Sequence, residues 1–397
     1  MAHPGDDQGR PVGAPGERLI PSETSPKRFR IGTHRIRRPE ETLDGVRDVL
    51  PRAGVTRVAD VTGLDRIGIP VWQAVRPASR NLSVSQGKGA TPAAARASAV
   101  MEALELWHAE DLGHLPQVTL SPQEMRYDNP VPLTSLRWVF LPPEAFALPM
   151  PWVRARCWRG GRDGWLPRWM LELDFTEPPA LPLRLFSRTS NGLASGNCLE
   201  EAVLHGVCEL VERHGVRLAA REPWRKVPLR EDSVEAPWLR ESLEKIHAAG
   251  FKLALYDVTW EAGIPVLQAE IAAPDIANVW WGSGCHPEPA VALSRALTEA
   301  AQSRLTYISG ARDDLPLLGA GEAAHRLFEE LQEPEGVRCF ADLPDLSTAS
   351  VASDLDRVVE ILAGHGLETW WVDLSRPEVG VPVARVFVPG FKEKSHG

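Results

Sequence analysis

Three stretches of this sequence share one arrangement, in which glycines precede a helix that carries polar side chains at a fixed spacing. The clearest is Gly196–Gly215, whose polar side chains step by four, four and three residues: Glu201, His205, Glu209 and Glu212. At about 3.6 residues per turn they lie along one face of a helix, and the apolar face opposite packs against a core. Such a stripe is most often a solvated surface, and less often a site for hard cations such as Mg²⁺.

The same spacing recurs in two further alanine-rich helices, and this recurrence favours a shared site over a solvated surface. The residues are Ser98, Glu102 and Glu105 after Gly87-Lys88-Gly89, and Arg295, Glu299 and Gln302 after Gly282-Ser283-Gly284. The Gly196–Gly215 helix likewise follows glycines at 192 and 196. We therefore expect three helices, each preceded by a glycine-bearing turn, to converge in space.

A strand pattern also recurs and predicts a repeated unit. Asp60 and Asp257 each begin a Val-Thr segment that continues, after a turn, into Gly-Ile-Pro-Val and a Gln-Ala pair. A weaker third copy lies between Val372 and Val386. Residues 57–61 and 69–75 predict a hairpin-like pair of strands. Duplication of a strand–turn–strand–loop–helix unit predicts an α+β fold.

Composition and charge exclude several classes of protein. The net charge of −9 argues against a protein that binds a nucleic-acid backbone. No apolar run approaches the roughly 18 residues that a membrane span requires, and the N-terminus has no hydrophobic signal segment. Five cysteines without a CxxC pair favour a reducing, cytoplasmic setting over a disulfide scaffold or a zinc site.

The chain is expected to divide into a short tail and one large domain. Residues 1–27 are polar and rich in Gly and Pro, which predicts a disordered tail. Residues 28–397 are expected to form one domain, with its motif-bearing core at about 54–390. The segment 117–185 predicts short strands and loops, and its tryptophans are expected to pack rather than bind a cofactor: Trp152, Trp158, Trp165 and Trp169. Further helices are expected at 39–50, 237–249, 322–332 and 352–364, and buried strands at 368–374 and 382–389.

Convergence of the helices would bring carboxylates together: Glu102, Glu105, Glu209 and Glu212, with Glu201 and Glu299 nearby. Carboxylates in one pocket repel each other unless cations lie between them, and Mg²⁺ completes its coordination with water and phosphate oxygens. Basic residues near the motifs could then bind a nucleoside triphosphate: Lys88, Arg213, Arg295 and Arg304. The P-loop pattern GxxxxGK[ST] does not occur. His205 and His214 are open as ligands, bases or packed helix residues.

These motifs, in this order, resemble the YcaO family from about residue 54 to 389. The residues that carry the resemblance are Ser85-Gln-Gly-Lys-Gly before Ser98-x3-Glu102-x2-Glu105, Ser190 to Asn197-x3-Glu201 with Glu209-x2-Glu212-Arg213, and Arg295-x3-Glu299-x2-Gln302-x-Arg304. The resemblance implies a YcaO-type ATP-binding fold in which these helices hold Mg²⁺ and ATP. It also implies the reaction: ATP phosphorylates a peptide-bond oxygen, and a nucleophile then replaces that oxygen.

The resemblance also implies roles for individual residues. Mg²⁺ would be bound by Glu102, Glu105, Glu209 and Glu212. Nucleotide would be bound by Lys88, Ser98, Asn197, Glu201, Arg213, Gln302 and Arg304, together with Arg295 and Glu299 of the same motif. Leu106 departs from the family, which often has Arg directly after the second glutamate. The motifs assign no catalytic acid or base.

The nucleophile decides the product: cysteine, serine or threonine side chains give azolines, sulfide gives a thioamide and an amine gives an amidine. Azoline-forming members often end in a proline-rich tail, which this sequence lacks, and no leader-binding domain is expected before Arg28. The stretch from Thr56 to Val71 resembles members that work with a TfuA partner and install thioamides. The sequence therefore predicts thioamidation of a ribosomally made peptide with a TfuA-like partner. The alternatives are azoline or amidine formation and a non-catalytic peptide-docking scaffold, and a homodimer is open because family members often form dimers.

Overall fold

The computed structural model describes residues 26–136, 138, 143–176, 185–312, 315, 318–330 and 336–391. Residues 1–25 of the predicted tail lie outside this part of the chain. So do the last two residues of the helix expected at 322–332 and parts of the segment 117–185. Over the described residues, helices combine with antiparallel sheets, and the α+β prediction is confirmed.

The described helices start within one residue of the positions predicted at 39, 237, 322 and 352, whereas the helix predicted at Gly196–Gly215 starts at Leu199 and ends at Arg221. They are α1 (Pro39–Val46), α2 (Pro92–Ala109), α3 (Pro122–Met125), α4 (Arg168–Leu171), α5 (Leu199–Arg221), α6 (Pro237–Ala248), α7 (Pro289–Ile308), α8 (Glu322–Glu330) and α9 (Val351–Gly364). Proline opens α1, α2, α6 and α7, where the missing N–H costs no helical hydrogen bond. Helix α1 ends at Val46 rather than at 50. Within the residues the structure describes, no helix is both long and apolar enough to cross a membrane.

In the part of the chain that the structure describes, the strands form three sheets. They are β1 (Arg57–Asp60), β2 (Val71–Val75), β3 (Val84–Lys88), β4 (Gln117–Leu120), β5 (Met150–Cys157), β6 (Asp163–Pro167), β7 (Leu193–Ser195), β8 (Val227–Pro228), β9 (Lys252–Asp257), β10 (Val266–Ala272), β11 (Trp280–Cys285), β12 (Trp370–Asp373) and β13 (Val383–Phe387). The strand orders are β1-β2-β3, β11-β10-β9-β8 and β4-β5-β12-β13-β7, with β6 beside β5. The expected hairpin of β1 and β2 and the two C-terminal strands are confirmed.

Three strand–helix units repeat one layout, and the third is assembled from distant parts of the chain. In the first unit β1, β2 and β3 pair in order and lead into α2, and in the second β9, β10 and β11 lead into α7. In the third unit β12 and β13 pair with β7, which directly precedes α5. The predicted duplication is therefore confirmed. The weaker third copy between Val372 and Val386 supplies two strands to a helix that comes much earlier in the chain.

The glycines before α2 and α7 lie in strands rather than in turns. Gly87 is within β3, and Gly282 and Gly284 are within β11. A β-carbon on Gly87 would lie 2.0 Å from the Ala99 nitrogen, and one on Gly282 would lie 2.4 Å from the Ala300 nitrogen. The prediction of glycine-bearing turns is therefore wrong at these two places. The glycines are needed because each strand lies directly against the backbone of its helix.

We expect Gly87→Ala to destabilise the chain by at least about 3 kcal/mol, because the added methyl group meets backbone atoms of α2 that cannot move aside. Urea denaturation followed by circular dichroism measures the loss. Gly63→Ala is the matched control, since its β-carbon would meet no atom within 4 Å, and a change within about 0.5 kcal/mol is expected. Equal losses in the two variants would contradict the close contact between β3 and α2.

Three main clusters form the apolar core of the described residues. One packs the six-stranded sheet against α2, and another buries the apolar face of α5 against α9 and β13. A third packs α6 and α7 on the β8–β11 sheet. Trp152 is fully buried, and the other tryptophans of this region pack against the clusters, as predicted: Trp158, Trp165 and Trp169.

The ordered chain starts earlier than the sequence predicts. Lys27, which the sequence assigns to the disordered tail, is buried, and its ammonium lies 2.6 Å from the Asp354 carboxylate of α9. Pro26 pairs with Ser350 just before the same helix. Pro26 and Lys27 therefore belong to the fold and not to the predicted tail, because a lysine with a buried partner is not solvated as a tail residue is.

Candidate active site

A cavity of about 760 Å³ opens between α2, α5 and α7, and the predicted site residues meet there. Those that line it are Lys88, Ser98, Glu102, Glu105, Asn197, Glu201, His205, Glu209, Glu212, Arg213, Arg295, Glu299 and Gln302. They come from the three motif helices, from β3 and from the residues before α5. The prediction that the motif helices converge is confirmed. Among the predicted site residues, Arg304 does not line the cavity.

The α2 carboxylates lie where the protein favours their protonated forms. Burial, followed by the neighbouring Glu105 carboxylate, raises the pKa of Glu102 to about 8. Burial also raises the pKa of Glu105 to about 7. This occurs although Ser195 donates two hydrogen bonds to Glu105, from its backbone nitrogen at 2.8 Å and from its hydroxyl at 2.6 Å. Without a cation, both carboxyls therefore hold protons close to neutral pH.

The α5 carboxylates reach the same cavity, and each accepts a hydrogen bond that fixes its position. The backbone N–H of Gly192, in a turn with φ of 80°, donates to Glu209 at 2.9 Å. Burial raises the pKa of Glu209 despite this hydrogen bond and the nearby Arg213 guanidinium. The Ser283 hydroxyl donates to Glu212 at 2.8 Å, and Glu212 is buried.

The four carboxylates form a set of oxygen ligands that suits Mg²⁺. Three of them have raised pKa values because of burial and their mutual repulsion, so the protein alone does not balance their charge. A hard divalent cation would take the place of the protons and pair with the oxygens. The residues present thus fit a magnesium site formed by Glu102, Glu105, Glu209 and Glu212.

Two cations lie beside this set on the cavity wall. The Lys88 ammonium is 2.6 Å from Glu299 of α7. The Arg213 guanidinium lies 3.5 Å from Glu212 and 4.0 Å from Glu299. Burial acts to raise the pKa of Glu299, but Lys88 and Arg213 outweigh it and hold that pKa below its usual value. Both cations could therefore form charge-assisted hydrogen bonds with phosphate oxygens that enter the cavity beside the carboxylates.

Glu201 and Asn197 connect α5 to the N-terminal segment. Glu201 is fully buried and accepts hydrogen bonds from the Asn197 backbone nitrogen at 2.8 Å and from its side-chain nitrogen at 2.9 Å. It also accepts one from the Ile36 backbone nitrogen at 2.5 Å. The Thr42 hydroxyl of α1 donates to Asn197 at 2.8 Å. Glu201 therefore fixes the cavity wall, whatever contact it makes with a nucleotide.

The two histidines of α5 differ in their surroundings. The Arg295 guanidinium lies 2.9 Å from His205 Nε2. Burial and then the Arg295 charge hold the pKa of His205 well below its usual value, so the ring is neutral and accepts this hydrogen bond. His205 thereby orients Arg295 in the cavity. His214 instead stacks on Phe391 with ring centroids 4.5 Å apart, as a packed helix residue does.

Arg304 does not line the cavity, which corrects its predicted place in the nucleotide site. Its buried guanidinium donates to Asp65 at 3.0 Å and to Asp275 at 2.6 Å. Asp65 lies between β1 and β2, and Asp275 follows β10, so Arg304 joins the first two units. The resemblance grouped Arg304 with the motif, but it lies two residues after Gln302, which turns its side chain by about 200° around α7 to another face.

We expect Arg304→Met to lower the free energy of unfolding by about 3–5 kcal/mol, because it leaves the buried Asp65 carboxylate without its cation. The folded variant should bind Mg²⁺-ATP with unchanged affinity. Thermal denaturation and titration calorimetry measure the two quantities. A large loss of nucleotide affinity with stability intact would return Arg304 to the nucleotide site.

Three arginines that line the cavity were not predicted: Arg35, Arg37 and Arg312. Arg35 and Arg37 come from the segment before α1. Arg35 lies close enough to Glu105 to act against the rise in the pKa of that carboxyl. The signal available in the sequence was the basic run at residues 27–38, which begins at the last residue of the predicted tail. The hydroxyl donor Ser195 was also missed, since no local pattern links it to Glu105.

Residues 86–392 match the family model described as an ATP- and Mg²⁺-binding YcaO cyclodehydratase. The chain belongs to the YcaO family. It is therefore an ATP-dependent enzyme with ATP and Mg²⁺ as its cofactors. The match includes all three motif helices and the third unit up to β13.

Two relatives match over nearly the whole chain. An uncharacterized protein of Methanothermobacter thermautotrophicus is 37% identical over 375 residues, which cover 89% of this chain and 94% of that protein. An uncharacterized protein in the tfuA 3′ region of Rhizobium leguminosarum bv. trifolii is 36% identical over 377 residues, or 89% of this chain and 87% of that protein.

Two solved structures have a similar fold. YcaO from Methanopyrus kandleri, bound with AMPPCP and Mg²⁺, superposes with a TM-score of 0.73 at 28% identity, and covers 93% of this chain and 95% of its own. A heterocyclase in complex with substrate and cofactor superposes with a TM-score of 0.76 at 22% identity, which shows the fold alone. The match covers 93% of this chain but only 54% of the heterocyclase. The predicted YcaO-type fold is confirmed.

Proposed function

We propose that this enzyme uses ATP to phosphorylate a backbone amide oxygen of a peptide, and that sulfur then replaces the phosphate to give a thioamide. The observation that supports the first step is the meeting of four carboxylates with Lys88 and Arg213 in one cavity. The proposed Mg²⁺ ligands are Glu102, Glu105, Glu209 and Glu212. The proposed nucleotide contacts are Lys88, Ser98, Asn197, Glu201, Arg213, Arg295, Glu299 and Gln302. The activity is assigned to the domain from about residue 26 onward.

The chemistry explains why ATP is needed. An amide oxygen is a poor leaving group, whereas phosphate is a good one. Transfer of the terminal phosphoryl group of ATP forms a P–O bond to the amide oxygen and releases ADP. Hydrosulfide then forms a C–S bond, the C–O bond breaks, and hydrogen phosphate leaves with the former amide oxygen and the hydrosulfide proton. Bound Mg²⁺ supplies charge neutralisation of the triphosphate during the transfer.

The chain's own residues orient and stabilise the reacting groups. Lys88 and Arg213 form the cationic wall, where they would stabilise charge that develops on the transferred phosphoryl group. Ser195 and the Gly192 N–H hold Glu105 and Glu209 in place, so the carboxylates need not reorganise when the cofactor binds. The neutral His205 ring leaves the Arg295 charge undiminished at the cavity.

Sulfur as the nucleophile is supported by the neighbourhood of one relative. The Rhizobium protein in the tfuA 3′ region is 36% identical over most of both chains. The stretch that resembles TfuA-associated members, Thr56 to Val71, forms β1 and the start of β2 beside the cavity-lining strand β3. We therefore include a TfuA-like protein as the proposed partner and a peptide as the substrate. Azoline formation is the second candidate, because a heterocyclase has a similar fold.

Mass spectrometry of a reconstituted reaction tests the proposal. The mixture contains the chain, Mg²⁺-ATP, sulfide, the TfuA-like protein and a short peptide encoded beside its gene. Exchange of one oxygen for sulfur in the peptide is expected, with ADP formed in equal amount. Loss of water would favour the azoline alternative. No peptide product and no ATP consumption would favour a docking scaffold, and Glu209→Gln is the inactive control.

A further inference from the structure

The segment at 26–38 folds as a small hairpin against the cavity. Phe29 and Arg35 exchange two backbone hydrogen bonds of 3.0 Å, which close the hairpin. Gly32 at its tip has a φ of 70°, and a β-carbon there would lie 2.9 Å from the Ser294 hydroxyl of α7. The tip therefore fits closely against a motif helix and lines the cavity.

Side chains from both arms of this hairpin lie close to one carboxylate, that of Asp354. The Lys27 ammonium lies 2.6 Å from Asp354 Oδ2, and neither side chain has any exposed surface. His34 Nδ1, on the returning arm, is 3.9 Å from the same oxygen. His34 Nε2 lies 2.7 Å from Glu288, the residue that precedes α7. Asp354 in the first turn of α9 and Glu288 thus hold the base of the hairpin from two helices.

The charges of this cluster balance within it. Burial acts to lower the pKa of His34, but Asp354 and Glu288 outweigh it, so the pKa is raised and the charged ring is favoured. Burial acts to raise the pKa of Asp354, but His34 and Lys27 outweigh it, so that pKa is lowered. Two cations and two carboxylates therefore face one another, with the neutral His286 ring packed edge-on against His34.

The same cluster could instead bind a metal ion, since ligand atoms of His34, His286 and Asp354 lie within 4.8 Å of one another. Two contacts argue against it. His286 Nδ1 accepts the Glu288 backbone N–H at 3.0 Å, so the neutral ring carries its own proton on Nε2 and has no free lone pair. The Lys27 ammonium already contacts the Asp354 oxygen that a metal would need.

The cluster is directly connected to the cavity through the residues after His34. Arg35 and Arg37 line the cavity. The Ile36 N–H between them donates to the buried Glu201 at 2.5 Å. We infer that Asp354 and Glu288 are positioning residues, which clamp the 26–38 hairpin onto the cavity and so set its affinity for Mg²⁺-nucleotide. This inference depends on the proposed nucleotide site.

Calorimetric titration with Mg²⁺ and AMPPCP tests the clamp. If Asp354→Asn leaves the hairpin in place in about one molecule in ten, the dissociation constant rises about tenfold. Glu288→Gln removes only the His34 contact, and a rise of about threefold is expected. Lys27→Met should weaken binding as Asp354→Asn does, whereas Lys27→Arg, which keeps the charge, should restore it.

Glu110→Gln is the matched control, because it breaks a buried ion pair with Arg76 at 2.8 Å that does not line the cavity. It should lower thermal stability comparably and leave the dissociation constant unchanged. Equal weakening in Glu110→Gln and Asp354→Asn would overturn the inference, as would wild-type affinity in folded Asp354→Asn and Glu288→Gln. A stoichiometric metal in the purified chain that Asp354→Asn removes would overturn it too.

Hydrogen exchange of the nucleotide-free chain separates this inference from the proposed function. Asp354→Asn should speed exchange of the Arg35 and Ile36 amides, and Glu110→Gln should not. Failure of the wild-type chain to bind AMPPCP would overturn the proposed nucleotide site alone if this difference is seen. Unchanged exchange in Asp354→Asn would overturn the clamp, whatever the nucleotide result.

Discussion

Glu102→Gln should lower Mg²⁺-dependent ATP turnover by about a thousandfold and should not destabilise the fold. The turnover falls because the change removes one charged oxygen ligand from the set that would hold the metal. The fold tolerates it because Glu102 already has a pKa raised to about 8 by burial and by Glu105, so the neutral amide is closer to its preferred state than the carboxylate is. Phosphate release and the thermal midpoint in metal-free buffer measure the two effects.

Glu241→Gln controls for the loss of one negative charge. Glu241 pairs with Lys245 on the exposed face of α6, where an ion pair contributes little. Its turnover and thermal midpoint should match those of the wild type. A Glu102→Gln enzyme that keeps more than about half of the wild-type turnover would remove Glu102 from the magnesium set.

The affinity for Mg²⁺ should rise steeply with pH between about pH 6 and about pH 8. In the folded chain the Glu102 and Glu105 pKa values are raised to about 8 and about 7, above their usual 4.5. Between the unfolded and folded values the folded state holds more protons, so metal-free stability falls as pH rises. Mg²⁺ must displace these protons, so its affinity gains up to about tenfold per pH unit for each proton released.

Thermal shift measurements with and without Mg²⁺ across this pH range provide the test. Stabilisation by Mg²⁺ should be small near the acidic end and large near the alkaline end. Glu102→Gln should reduce the slope, because one of the displaced protons is gone. Mg²⁺ affinity that does not change with pH would mean that these two carboxyls are not its ligands.

The fold was predictable from the sequence where contacts join neighbouring segments, and less so where they join segments far apart in the sequence. The first two units are continuous, so their strand and helix signals occur in order and reveal the duplication. In the third unit, β13 pairs with β7 from the middle of the chain, and no local pattern records that pairing. The function of Gly87 and Gly282 was misassigned for a related reason, since their need for space comes from a packed helix and not from a turn.

The same distinction between local and long-range contacts applies to the candidate site. The carboxylate spacing on α2 and α5 predicted which residues would meet, because helical geometry fixes the face on which they lie. Arg304 was assigned to the site by the family resemblance and not by this spacing, and it is turned towards Asp65 and Asp275. Arg35 enters the cavity through a hairpin whose clamp lies on α7 and α9, and this depends on contacts that only the folded chain brings together.

Diffraction from crystals grown with Mn²⁺ in place of Mg²⁺ and with AMPPCP tests the central claim most directly. Anomalous difference peaks should lie within metal–oxygen bonding distance, about 2.2 Å, of carboxylates from both α2 and α5. The triphosphate should lie between these peaks and Lys88. Manganese bound elsewhere, with Glu102, Glu105, Glu209 and Glu212 making no contact to metal or water-bridged phosphate, would contradict the account.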